Sequence, residues 1–270
     1  PAVRVAIGEA FGLPAGESTT GRIVAALRAL GFDQVYDTAF TADLTVLEEA
    51  HEFLARHERG ERLPLFTSCC PAWVKFAEQY LPELLPNLST CRSPQQMFGA
   101  LARERLPAHL KVPPEALAVI ALMPCTAKKF EAARPEFSRD GRPDVDLVLT
   151  TQEVVDMIRE AGLRFDELED RPFDLPFGFK TGAGVIFGHS GGVTEAVVRY
   201  VQAAASPDQP VRFDMPEWRG EATLREGTLQ VGAHTLRLAV VQGLAAAKAV
   251  AEQIQKGTCP YDFIEVMACP

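Results

Sequence analysis

The chain has 270 residues, 47% hydrophobic and 23% charged, enough apolar material for one large domain or two lobes. A net charge of −9 and an isoelectric point near 5.2 argue against nucleic acid as a main partner, because phosphate contacts need clustered lysines and arginines. No run of eighteen or more apolar residues occurs, so no membrane span is expected, and no secretory leader opens the sequence.

In chain order, residues 3–8 (VRVAIG) have the composition of a strand, and residues 20–30 that of an amphipathic helix ended by Gly31. Residues 42–57 form a second helical pattern, with Leu44, Leu47, Ala50 and Leu54 as its apolar stripe. Residues 63–67 read as a short buried strand that ends in Thr67-Ser68-Cys69-Cys70, and Pro71 then supplies a helix start. The same grammar returns at residues 117–122, a buried strand with Met123-Pro124-Cys125 at its tip and Thr126 as a possible cap. Residues 146–150 read as a strand, with Thr151 capping a helix through residue 160. Residues 165–187 have the character of a long loop. Strands at 236–241 and 261–267 flank a helix over 244–256. Strands alternating with helices predict an α/β fold with largely parallel sheets. Both ends look cut: the chain starts at Pro1 without a methionine, and it stops just after an apolar run and a cysteine.

Six cysteines, at 69, 70, 91, 125, 259 and 269, are sparse and irregularly spaced, unlike a secreted disulfide scaffold. A reducing cytoplasm with metal-binding or catalytic thiols is the expectation. Adjacent cysteines rarely bridge each other. Cys69/Cys70, Cys125 and Cys269 all fall at the carboxyl ends of predicted strands, where open α/β sheets bind their ligands. Converging thiolates suit zinc or an iron–sulfur cluster; no paired knuckle of the zinc type is present, and the compact ferredoxin run is absent as well. The residues alone therefore point to a buried metal cluster assembled by the fold.

Three ordered segments carry a resemblance. TSCCPAW (residues 67–73), MPCTAKKFE (123–131) and EVMAC (265–269) resemble the signature motifs of the iron-only (FeFe) hydrogenases. The likeness extends to ADLTVLEEAHEF (42–53), CRSPQQMFGA (91–100) and IFGHSGGVTEA (186–196), and so covers essentially the whole chain. It departs at the end, where the third motif's second cysteine would lie beyond Pro270.

The resemblance implies one catalytic domain over 1–270, incomplete at its C-terminus. It consists of two lobes, each a mostly parallel sheet flanked by helices, with the active-site cleft between them and a lobe boundary near residue 110. Its cofactor would be the H-cluster, a 4Fe–4S cubane joined to a diiron unit that carries CO, cyanide and a bridging dithiolate amine. By position, Cys70, Cys125 and Cys269 would be three cubane ligands; the missing cysteine would be the fourth, so this fragment alone is not expected to hold a complete H-cluster or to be active. The implied activity is that of a ferredoxin hydrogenase, 2H⁺ + 2e⁻ ⇌ H2, in anaerobic hydrogen metabolism. Ferredoxin or an upstream Fe–S domain would carry the electrons, and maturation proteins would build the diiron unit.

Further roles are implied residue by residue. A thiol with an ordinary pKa of ~8.5 can be tuned toward neutrality, and Cys69 would pass protons to the bridging amine while Cys70, turned the other way, binds iron. Lys128, about one helical turn beyond Cys125, would donate to a cyanide ligand. Met123 and Met267 would be soft walls of the diiron pocket, lined further by Ser93, Pro94, Gln95, Pro1 and Ala2. Glu49, Glu52 and Arg56 share one helix face, and Glu52 to Arg56 is a favourable i,i+4 pair that ordinarily reads as a solvated salt bridge. In the family the matching residues carry protons, in the implied order Arg56 and Glu52 at the surface, then Ser89, Glu49, a water and Cys69. Glu131 would belong to another route, and Cys91 and Cys259 would be packing residues. Two rival readings are a hydrogenase-like Fe–S assembly protein and an H2-sensing homologue. The first typically has one cysteine where this chain has two, and the second often replaces the proton-shuttle cysteine.

Overall fold

The computed structural model describes residues 1–205, 218, 222–231 and 234–269. Its elements run α1 (Val3–Ala6), α2 (Thr20–Ala29), α3 (Ala39–Arg59), β1 (Leu65–Phe66), α4 (Pro71–Tyr80), α5 (Pro94–Leu110), β2 (Ile120–Met123) and α6 (Ala127–Ala132). There follow β3 (Ser138–Arg139), β4 (Arg142–Pro143), β5 (Leu147–Thr150), α7 (Thr151–Glu160), α8 (Gly182–Ile186), α9 (Gly192–Ala205), β6 (Leu224–Val231), β7 (His234–Gln242), α10 (Leu244–Gln255) and β8 (Phe263–Met267). The fold is mixed α/β with parallel strand pairs flanked by helices, as the alternation of patterns requires.

Four local expectations change. Residues 3–6 are a helical turn: Val3 and Ile7, four apart, are buried, while Val5 between them is 39% exposed. That is a helix period, and so short a run of apolar residues could not distinguish it from a strand. The buried face of α3 is Ala42, Val46, Ala50 and Phe53, with Leu47 turned out at 37% exposure. Thr126 makes no side-chain cap, and α7 is capped by Thr150 rather than Thr151: Thr150 Oγ1 accepts from the Glu153 amide at 3.3 Å while Glu153 accepts from the Thr150 amide at 2.7 Å. This reciprocal arrangement satisfies two otherwise unpaired helix-end donors.

The chain divides into two compact units, residues Pro1–Thr41 with Gln95–Thr181, and Ala42–Pro94 with Gly182–Pro270. The expected boundary near residue 110 therefore falls inside the first unit. The reason is packing: Val3, Ile7, Val24 and Leu27 share a core with Val154, Ile158 and Phe165, so the N-terminal segment completes a layer begun far along the chain. In this unit β2 and β5 pair in parallel from Ile120↔Leu147 to Met123↔Thr150. Buried Asp37 accepts from Arg4 at 2.6 Å, from Lys180, and from the Ala39 amide at the start of α3 at 3.0 Å. Those donors outweigh burial and hold its carboxyl below the usual range.

The second unit is built on a four-stranded sheet in the order β1-β8-β7-β6, parallel except for the β6–β7 hairpin. Successive strand residues face opposite sides, and both sides are covered. Leu65, Phe263, Leu238 and Val240 pack with residues of α3 and α9; Phe66, Ile264, Val266, Ala239 and Val241 pack with residues of α4 and α10. Each fully buried large side chain here, Phe53 or Phe263 for example, contributes ~1.5–3 kcal/mol relative to exposure. Strand β6 supplies an antiparallel edge that the apolar pattern did not reveal.

Candidate active site

In the second unit the site begins where β1 and β8 end. Their ladder continues past Phe66: the Thr67 amide donates to the Ile264 carbonyl at 3.0 Å, and Thr67 Oγ1 accepts from the Val266 amide at 3.2 Å. One step further, the Ala268 amide donates to Cys70 Sγ at 3.4 Å, and Cys269 is the next residue along the chain. Cys70 is extended (φ −93°, ψ 106°) at the start of α4, with Pro71 as the first helical residue. Extended backbone sends neighbouring side chains to opposite faces. Cys69 accordingly packs with the α3/α9 core and Cys70 with the α4/α10 core, both buried. Cys269 is exposed, and no cysteine of the chain forms a disulfide.

Helix α3 carries Glu49, Glu52 and Arg56 on the side toward residues 62 and 86–91. Glu52 is ringed by donors. Arg56 donates to its Oε1 at 2.6 Å, Ser89 Oγ to its Oε2 at 2.9 Å, and Thr90 through both amide (2.9 Å) and hydroxyl (3.1 Å). The Cys91 thiol lies 3.7 Å from Oε2. Arg56 is not at the surface. It is 4% exposed and also donates to the carbonyls of Pro86 at 3.1 Å and Leu88 at 2.9 Å, because the segment after α4 folds over the last turns of α3. A guanidinium only donates hydrogen bonds, and Arg56 fixes the Glu52 carboxylate through one of them.

Glu49 is wholly buried and neither oxygen completes a hydrogen bond, although the Ser89 hydroxyl and the Ser68 backbone lie close enough to offset part of the cost. Burial, reinforced by the charges of Glu52 and Glu265, pushes its carboxyl up to about 8. Ser89 is the shared neighbour of Glu52 and Glu49. Cys91 is pushed up to about 12 by burial and by the same two carboxylates, so it remains a thiol.

Sequence reading missed three contributors. Thr90 and Cys91 touch Glu52, and the only signal was their place next to Ser89. Glu265, in the apolar strand FIEVM, accepts from the amides of Gly191 and Thr194 at 2.7 Å each and from Thr194 Oγ1 at 2.9 Å. It thereby holds the start of α9 against β8; burial still raises its carboxyl. A glutamate in a strand buried on both faces was the available signal. Gly191 adopts φ +91°, and a Cβ there would meet the Trp218 carbonyl at 2.0 Å, so only glycine brings its amide to Glu265.

The first unit holds a separate cluster at the end of β2. Cys125 follows Met123 and Pro124, and its carbonyl accepts from the Lys128 amide at 3.1 Å. Lys128 Nζ pairs with Glu131 at 3.0 Å, and Gln95 Nε2 donates to Glu131 Oε2 and to the Lys128 carbonyl, both at 3.2 Å. Pro1 and Ala2 are half-buried at the start of α1, Met123 packs against the core of this unit, and Ser93 and Gln95 are buried at the start of α5. Met267 packs in the second unit, and Pro94 opens α5. Among the described residues no three His, Cys, Asp or Glu side chains gather around a single metal ion. Cys70 and Cys269 follow the ends of β1 and β8 in the second unit and Cys125 follows β2 in the first, and thiolates of this kind suit an iron–sulfur cluster or zinc. No described helix is long and apolar enough to cross a membrane.

These features coincide with a known family. Residues 1–270 match the family model described as iron only hydrogenase large subunit, C-terminal domain, and the chain belongs to that family. It is 46% identical over 272 residues to the periplasmic Fe hydrogenase large subunit of Nitratidesulfovibrio vulgaris, covering 100% of this chain and 65% of the relative. It is 41% identical to iron hydrogenase 1 of Clostridium pasteurianum, covering 100% and 47%. It is also 34% identical to a probable cytosolic Fe–S cluster assembly factor of Aedes aegypti, covering 94% and 55%. A variant of the FeFe-hydrogenase of Chlamydomonas reinhardtii superposes with a TM-score of 0.86 at 36% identity, covering 100% of this chain and 76% of that one. The chain thus spans between about half and two thirds of the length of these curated relatives.

Proposed function

We propose that this chain is the catalytic part of a ferredoxin-type hydrogenase that interconverts protons, electrons and H2 at an H-cluster. Glu49 carries the reading: a wholly buried carboxyl, raised to about 8, shares Ser89 with Glu52 and directly precedes Ala50, which packs in the core that holds Cys69. A carboxyl poised near neutrality both takes and gives protons, which is what a reversible proton supply needs. When bound, the H-cluster would relay electrons from the carrier and supply the iron site for proton reduction. Cys70, Cys125 and Cys269 would ligate its cubane, Lys128 would donate to a cyanide, and Met123, Met267, Ser93, Pro94, Gln95, Pro1 and Ala2 would line the diiron unit. Glu52 accepts the proton from solvent, Ser89 passes it inward, Glu49 stores it and Cys69 delivers it; Arg56 holds Glu52 in place.

Ferredoxin or a similar Fe–S carrier would supply electrons, and maturation proteins would install the diiron unit. The cytoplasm is the proposed compartment, since paired reactive thiols persist where they are kept reduced; the relatives' names include both periplasmic and cytosolic proteins. The likeness to assembly factors gives the competing reading, a protein that binds clusters without acting on H2.

The test is to express the full-length parent with maturation factors and assay H2 evolution beside the Cys69→Ala variant. Turnover in the parent, lost in Cys69→Ala while the cubane's EPR signal persists, is the expected result. A loaded cluster with no H2 chemistry in the parent would favour the assembly reading.

A further inference from the structure

Lys128 does not stand alone on α6. Its ammonium meets both oxygens of Glu131, at 3.0 and 3.2 Å, with the two side chains 12% and 4% exposed. Glu131 is in turn gripped by Gln95, which is 2% exposed and whose Nε2 also reaches the Lys128 carbonyl. The orientation of that amide is not in doubt chemically, because both of its neighbours are acceptors and only the nitrogen can face them. Gln95 Oε1 is left buried with no hydrogen-bond partner. Leaving a buried acceptor unmade is costly, so Gln95 is held here by what its nitrogen does. With the Lys128 amide on the Cys125 carbonyl, the lysine is fixed at backbone, carbonyl and ammonium at once.

The adjacent lysine shows a solvent-exposed counterpart. Lys129 pairs with Glu153 on the surface, where the side chains are 39% and 44% exposed and solvent competes for the pair. The two ion pairs follow one another in the sequence and differ in burial; each carboxylate has a further donor, Gln95 for Glu131 and the helix-capping Thr150 for Glu153.

We propose that Glu131, locked by Gln95, is a positioning residue that aims the Lys128 ammonium at the cyanide of the diiron unit. The inference rests on the function proposed above. Glu131 touches no part of the cofactor in this scheme; it acts through Lys128. Partners of this kind, one bond removed from a bound group, typically change affinity or activity by about 10- to 100-fold when replaced.

The experiment is infrared spectroscopy of the cyanide stretching bands in the matured, full-length protein, for wild type, Lys128→Met, Glu131→Gln, Gln95→Met and Glu153→Gln. Glu131→Gln should displace the cyanide bands in the same sense as Lys128→Met, with the cubane EPR signal unchanged and turnover about 10- to 100-fold lower. Gln95→Met should give a smaller displacement in that sense, and Glu153→Gln should leave the bands at their wild-type positions. Wild-type band positions in Glu131→Gln, with displaced bands in Lys128→Met, would overturn the inference and leave the function standing. If Glu131→Gln fails to load, Glu131→Asp decides instead, since Gln95 itself lines the proposed pocket: the shortened carboxylate should displace the cyanide bands in the same sense, and undisplaced bands there overturn it. Wild-type protein without cyanide bands would remove the proposed function, and this inference with it.

Discussion

Glu49 and Glu52 lie three residues apart on α3 and occupy opposite surroundings. Glu52 meets a guanidinium, two hydroxyls, an amide and a thiol, and its side chain keeps 15% of its exposure. Glu49 meets no completed hydrogen bond and no solvent. The same side chain is therefore surrounded by donors at one position and stripped of both donors and solvent one turn along the helix. Burial pushes the Glu49 carboxyl up, because desolvation penalises only the charged form.

The sharpest way to break this comparison is Glu49→Gln, which keeps the shape and removes the transferable proton. Turnover should fall by about 10²–10⁴-fold, the usual worth of a positioned acid–base group. The same change should stabilise the fold at neutral pH. A folded-state pKa raised from 4.5 to about 8 means that the folded chain keeps a proton the unfolded chain gives up. Glu49 costs nothing below about pH 4.5, and the cost grows with pH until about 8, reaching on the order of 3 kcal/mol at pH 7. Chemical denaturation of wild type and Glu49→Gln at pH 5 and pH 8 should show the variant's advantage growing with pH; a constant difference would contradict it.

Next in size is Glu52→Ala. It leaves buried Arg56 without its carboxylate, and breaking one side of such a pair costs about 3–5 kcal/mol. Ser89→Ala removes one hydroxyl donated to a carboxylate, which is worth about 1.5–3 kcal/mol of stability, and it should also slow proton delivery. Thr90→Val is the smallest test: the amide contact to Glu52 survives, and the lost hydroxyl contact should cost about 1 kcal/mol in denaturation experiments.

Much of this arrangement was legible in the sequence, and the failures have physical causes. Cys69/Cys70, Cys125 and Cys269 were placed at strand ends because apolar runs bounded by turn residues mark buried strands well, and β1, β2 and β8 lie where expected. The pairing of Glu52 with Arg56 was legible from i,i+4 spacing, but its burial was not. Whether a helix face is solvated depends on what folds over it, and Pro86 and Leu88 come from a distant loop. The first turn misread as a strand shows the limit of short apolar runs, and the interleaving of the two units shows that a linear chain does not announce which segments share a core. Glu265 and Thr90 meet partners far along the chain, Gly191 and Thr194 for the first and Glu52 for the second, and that proximity exists only in the folded structure.

The most direct measurement is infrared titration of the protonated-carboxyl C=O band of Glu49, identified by its loss in Glu49→Gln. The account predicts a band present at pH 6–7 that disappears with a midpoint near 8. Absence of that band at pH 6, with Glu49 already ionised, would contradict it.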